Sequence, residues 1–192
     1  SPKPNIDMLI LRENSEGLYV GRERMDGEGR ALAERQITRR ASEQLAQRTA
    51  EVAALRTARR ITLVHKANVL PLTCGLFRDS ARQVLAQAGW DARVDERLVD
   101  VAALQLVASP EQFDLIATTN LFGDILSDLD HVVDPWFQEP GIDRLAALFF
   151  NPQADAVVFL AILCEEFVGL VDRSPGLVDD VDDQAGPVRL QP

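Results

Sequence analysis

The stretch TTNLFGDILSD, Thr118 to Asp128, sets two aspartates, Asp124 and Asp128, four residues apart just after a strand-like run, FDLIATTN. On a helix opening at Gly123 this spacing turns both carboxylates to one side, where like charges repel. A hard divalent cation between them, magnesium or manganese, converts the repulsion into coordination. The same pair fits a plainer reading, with Asp124 an N-terminal dipole partner and Asp128 a solvated surface residue.

Three other stretches carry groups of the same kind. In VHKANVLPL, Val64 to Leu72, Lys66 and Asn68 follow a strand end, the place where an open α/β sheet presents functional groups. A lysine held there beside carboxylates and a metal can lose enough charge to accept a proton; otherwise it is a surface lysine. LRENSEGLYVG, Leu11 to Gly21, supplies Arg12, suited to a bidentate grip on a carboxylate, and Tyr19, a candidate proton donor. Their bland equivalents are an ion pair and a core ring. Asp100, in LVDVAALQLV, sits at a strand end, where an aspartate often serves only as a helix cap.

These groups need elements to position them. Short β-branched or aliphatic runs predict strands at 7–11 (DMLIL), 61–65 (ITLVH), within the alternating stretch from Trp90 to Asp100, and at 114–118 (DLIAT). Ala41, Leu45, the Arg48 stem, Val52 and Leu55 share one stripe and predict a helix from Arg39 to Arg56. Further helices are expected from Gly75 to Ala88 and from Val101 to Val107. Alternating strand and helix argue for an α/β fold with a largely parallel sheet flanked by helices. The glycine-punctuated GRERMDGEG, Gly21 to Gly29, reads as a loop or projecting arm. Beyond Leu129 the chain turns acidic and proline-containing; there only Ala154 to Val171 suggests a helix, and residues after about Gly176 are expected to be disordered.

Composition narrows the function classes. With 30 acidic against 20 basic residues, a net charge of -10 works against nucleic acid and anionic membrane surfaces. Two cysteines and two histidines offer no zinc spacing, and a reduced, cytoplasmic protein fits best. AVVFLAIL, Ala156 to Leu163, is too short to span a bilayer.

Taken together, RENSEGLYVG, HKANVLPLTCGLFRD, VDVAALQLV and FDLIATTNLFGDILSD, in this order over about residues 5–129, resemble the β-decarboxylating dehydrogenases of isocitrate, homoisocitrate and 3-isopropylmalate. The wording RENSEGLYV and HKANVLPLT is most similar to homoisocitrate and NAD-dependent isocitrate dehydrogenases. The resemblance implies the second, dimer-forming domain of that family over 1–129, with an intersubunit arm at roughly 21–60, and an unmatched segment at 130–192. It implies that Arg12 binds a substrate carboxylate, Tyr19 acts in proton transfer, Lys66 is the base near the substrate hydroxyl, and Asn68 lies beside substrate and nicotinamide. Asp100, Asp124 and Asp128 would surround Mg2+ or Mn2+, with Lys66 and Asp100 reaching in from the neighbouring subunit of a homodimer or higher oligomer. The implied reaction is hydride transfer from a hydroxy-dicarboxylate or tricarboxylate to NAD, then metal-assisted loss of carbon dioxide.

The family's GDGIGPE-like opening and its EPVHGSAPDIAGK-like cofactor loop do not occur in these 192 residues. Two expectations follow. One is a metal- and NAD-dependent dehydrogenase; the other is a non-catalytic dimerising relic or partner subunit of such an enzyme, and for the chain by itself no turnover is expected.

Overall fold

A computed structural model describes residues 7–133, 144–151 and 156–160, with side chains over 7–129. Strand β1 (Asp7–Glu13) is followed by a hairpin of β2 (Glu23–Met25) and β3 (Ala31–Ala33), helix α1 (Arg39–Leu55), β4 (Ile61–His65) and α2 (Thr73–Gln87). Then come β5 (Val94–Leu98), α3 (Val99–Ala108), β6 (Leu115–Thr118), α4 (Asn120–Val133), β7 (Arg144–Asn151) and β8 (Ala156–Leu160). Six strands form one sheet in the order β5-β4-β6-β1-β7-β8, parallel throughout except for β8, which runs antiparallel to β7 at the edge.

The two-residue period of the strands sorts the core into two layers. Leu9 and Leu11, Ile61 and Leu63, Leu115 and Ala117 face Leu45, Ala46 and Ala53 of α1 and Phe77, Ala81 and Leu85 of α2. Met8, Ile10, Val64 and Ile116 face Ala102 and Leu106 of α3 and Leu126 of α4. The runs are apolar on both sides because both faces of the sheet are covered, as parallel sheets require.

Several expectations need correction. The buried stripe of α1 runs through Ala41, Leu45, Thr49 and Ala53, so the helix is rotated and Leu55 is exposed. Small residues at 46, 49 and 53 let the helix approach closely, and the Thr49 hydroxyl is satisfied by the Leu45 carbonyl at 2.7 Å. The polar stretch after Gly21, expected as a loop or projecting arm, is a two-stranded hairpin, its exposed strands held by backbone pairing from Glu23↔Ala33 to Met25↔Ala31. Helix α4 opens at Asn120, three residues before Gly123. Ala156–Leu160, expected within a helix, is a strand, its β-branched AVVFL adding to β7. The expected disorder after Gly176 lies outside the described residues. Among the described residues no helix is long and apolar enough to cross a membrane.

Replacing the fully buried Leu45 by alanine is expected to cost about 2–5 kcal/mol. The same change at exposed Leu55 should stay within about 0.5 kcal/mol. Urea unfolding midpoints check the pair, and similar losses at both sites would overturn the rotated face.

Candidate active site

The carboxyl ends of the parallel strands gather the chemistry. Arg12, near the end of β1, pairs in register with Thr118 at the end of β6, two residues before α4 begins. Its Nε and Nη2 donate to Asn120 Oδ1 at 2.9 and 2.6 Å, and its Nη1 forms an ion pair with the Asp124 carboxylate. Asn120 Nδ2 in turn donates to the Glu16 carbonyl at 3.0 Å, so one buried amide ties the loop after β1 to the start of α4. The Arg12 stem lies across Gly123, where a Cβ would stand 2.6 Å from Arg12 Cγ and 2.7 Å from its Cβ. Glycine is required there by close approach.

Tyr19 completes this cluster from the short turn Leu18–Val20. Its Oη donates to Asp124 Oδ2 at 2.5 Å, and the Arg12 guanidinium lies 5.4 Å from its ring centre. The hydrogen bond to Asp124 pushes the phenol above the ordinary tyrosine value, with partial desolvation and the aspartate's charge adding to it. Reciprocally, that bond is the main cause holding the Asp124 carboxyl below the usual carboxylate value; desolvation opposes it and the Arg12 charge assists.

A second cluster forms one strand further along the same edge. Lys66 follows β4, and its Nζ donates to Asp100 Oδ1 at 2.5 Å. Asp100 lies in the first turn of α3, where a carboxylate also meets the positive end of the helix dipole. The Lys66 hydrogen bond is the largest cause of its lowered pKa. Asn68 is exposed on the turn after Lys66, and Asp128 is exposed one helical turn beyond Asp124.

One chain thus assembles Arg12, Tyr19 and Asp124 in one place and Lys66 with Asp100 in another. Among the described residues no group of three or more histidine, cysteine, aspartate or glutamate side chains is placed to hold a metal. Asp100, Asp124 and Asp128 are therefore not joined within a single copy.

Four supporting residues were not singled out by the sequence reading. Asn120 and Gly123 stand inside the motif, but nothing in their spacing shows that they hold Arg12. Glu16 is buried, and burial raises its pKa against the lowering effect of Thr38, whose N–H it accepts at 2.7 Å ahead of α1. Arg35 donates to Thr73 Oγ1 at 2.7 Å and Thr119 Oγ1 at 3.0 Å, joining the segment after the hairpin to the starts of α2 and α4. No local pattern marks it.

Gly123→Ala is expected to destabilise the fold by about 1–3 kcal/mol through overpacking against Arg12. Combining it with Arg12→Ala should cost less than the sum, a coupling of about 1 kcal/mol or more in a double-mutant cycle read by denaturation. Tyr19 is the only tyrosine, so its absorbance titration reads this site alone. It should ionise above pH 10 and move back down toward 10.0 in Asp124→Asn. Since the folded pKa is the raised one, the stabilisation is present below pH 10 and fades as pH rises through the folded value.

Residues 2–133 match the isocitrate/isopropylmalate dehydrogenase family. The homoisocitrate dehydrogenase of Methanocaldococcus jannaschii is 46% identical over 124 residues, 65% of this chain and 35% of that protein. The 3-isopropylmalate dehydrogenase of Methanothermobacter thermautotrophicus is 45% identical over 125 residues, covering 65% and 37%. The crystal structure of isocitrate dehydrogenase from Methylococcus capsulatus matches with a TM-score of 0.59 at 40% identity, over 64% of this chain and 37% of that one. The chain spans little more than a third of the length of these relatives. Since the match runs through all four motif stretches and both charge clusters, the chain belongs to the isocitrate/isopropylmalate dehydrogenase family.

Proposed function

We propose that this chain carries the substrate- and metal-facing part of a β-decarboxylating dehydrogenase acting on a 2-hydroxy acid of the homoisocitrate or isocitrate type, and that two copies complete each site. The observation that carries the reading is the division of the acidic groups: Asp124 stands with Arg12 and Tyr19, Asp100 with Lys66, both at the carboxyl edge of one sheet. A homodimer supplies what one copy separates. Helix α3 exposes Val101, Leu104 and Val107 at intervals of three, and α4 exposes Ile125, an apolar stripe suited to contact between copies, with the hairpin as a further intersubunit element.

Asp124 and Asp128 of one copy with Asp100 of the other would hold Mg2+ or Mn2+ through hard oxygen donors, and the cation would supply Lewis-acid polarisation of substrate oxygens. NAD would accept the hydride, with Asn68 beside the nicotinamide. Arg12, pre-oriented by Asn120, presents fixed positive charge to a substrate carboxylate. Lys66 Nζ, directed by Asp100, would take the hydroxyl proton once the ammonium has given its own proton to solvent. Tyr19 Oη stays protonated through the neutral range because Asp124 accepts from it, and it delivers the proton that the product carbon gains. A cytoplasmic location suits a small-molecule substrate of this kind.

A second reading, a dimerising module or partner subunit without turnover, is supported by the same exposed apolar stripe on α3 and α4, which serves contact between copies whether or not chemistry follows.

Manganese binding measured by paramagnetic resonance tests the shared site without requiring catalysis. Asp100→Asn and Asp124→Asn should each lose the tight site, and refolding the two variants together should restore about a quarter of it, because half of the dimers form as hybrids with one intact site each. No binding by the parent dimer, or no recovery on mixing, overturns the shared site. Reduced-nicotinamide formation is then assayed with magnesium, NAD or NADP, and isocitrate, homoisocitrate or 3-isopropylmalate. Turnover abolished by Lys66→Ala supports the enzyme, whereas silence from a metal-binding dimer supports the module.

A further inference from the structure

His65 closes β4 immediately before Lys66, and its ring is buried at 5% exposure. Ring Nδ1 accepts the Ala67 N–H at 3.2 Å, which places the ring proton on Nε2 of a neutral imidazole. Nε2 faces Glu96 Oε2 on β5 at 3.2 Å. Glu96 Oε1 accepts from Arg82 Nη1 on α2 at 2.7 Å. Burial pushes the Glu96 carboxyl up, but the hydrogen bonds from Arg82 and His65, helped by the Arg82 charge, outweigh it and hold the group below its ordinary value. Glu96 is thus a fixed anion that orients the imidazole, in the same way that a carboxylate sets the tautomer of a functional histidine elsewhere.

The far side of this relay grips the turn that carries the base. The Lys66 carbonyl accepts from Val69 N at 3.1 Å and Leu70 N at 2.9 Å, while His65 holds the intervening Ala67 N–H. Lys66 is therefore pinned from its own carbonyl and from both chain neighbours, and its amine reaches Asp100. We propose that His65, oriented by Glu96 and Arg82, is a positioning residue for Lys66. The inference rests on the reading of Lys66 as the proton acceptor. Arginine supplies 18 of the 20 basic residues, and the amine at position 66 suits a role that a guanidinium, always protonated, does not perform.

The chain has two lysines, Lys3 and Lys66, which makes the amine's reactivity directly readable. Limited acetylation of the full chain with acetic anhydride, followed by peptide mass spectrometry, gives the Lys66 rate against Lys3 in the same digest. His65→Phe should raise that ratio about fivefold, the size expected from losing one orienting hydrogen bond. His65→Asn keeps an acceptor at the i to i+2 spacing of an Asx turn and should stay within about twofold of the parent. Glu96→Gln, which keeps packing while removing the anion, should move the ratio in the same direction as His65→Phe and serves if the latter does not fold. Equal ratios in parent, His65→Phe and Glu96→Gln overturn the proposal, as does an Asn variant indistinguishable from Phe. The labelling needs neither metal nor turnover, so failure of the dehydrogenase reading in the manganese and nicotinamide assays would leave this result standing, and the reverse.

Discussion

A guanidinium held in the interior at the end of β1 is the constraint to which the rest of the carboxyl edge conforms. Removing such a charge from water costs several kcal/mol unless it is paired and fully hydrogen-bonded. Arg12 meets that condition with the Asn120 oxygen and the Asp124 carboxylate, both on α4. The helix must therefore begin close behind β6, and it must offer a face without a side chain at Gly123 for the arginine stem. The loop after β1 must also turn back so that its Glu16 carbonyl reaches Asn120, a path that passes through Gly17 at φ 90. One charge thus dictates a helix start, a glycine and a loop.

The same pairing changes how the two aspartates of α4 are understood. Repulsion between Asp124 and Asp128 is already offset in the single chain, because Arg12 lies beside Asp124 and Tyr19 donates to it. A cation in the shared-site reading would join an arrangement that is electrostatically provided for, and would meet a carboxylate whose direction is already set. At the second cluster Asp100 does for Lys66 what Arg12 does for Asp124. The site is prepared as two neutralised halves.

Much of the sheet was legible because its strands are short apolar runs bounded by turn residues, and the four motif stretches sit at their carboxyl ends as the α/β rule expects. The register of α1 was not, since Leu55 continues an apolar stripe in sequence while the helix buries the alanine and threonine side that fits the sheet. Thr119 and Asn120 read as the end of a strand-like run, because only the tertiary pairing of Arg12 explains why the helix starts there. AVVFL lies within a longer apolar run, and periodicity alone does not separate strand from helix at that length. His65, Asn120 and Arg35 act through partners that lie many residues away in sequence, so no local spacing announces them.

The strand order carries a consequence for how the chain comes into being. β1 precedes every other described strand in the chain, yet Leu9 pairs with Leu115 on one side and with Ala146 on the other. Both edges of the first strand wait for elements made late, while α1, β4, α2 and β5 can already pack and pair with near neighbours in sequence. Contacts this distant close slowly, and an unpaired apolar strand is a template for the wrong partner. During synthesis, then, the segment that bears Arg12 is the last part of the core to become safe.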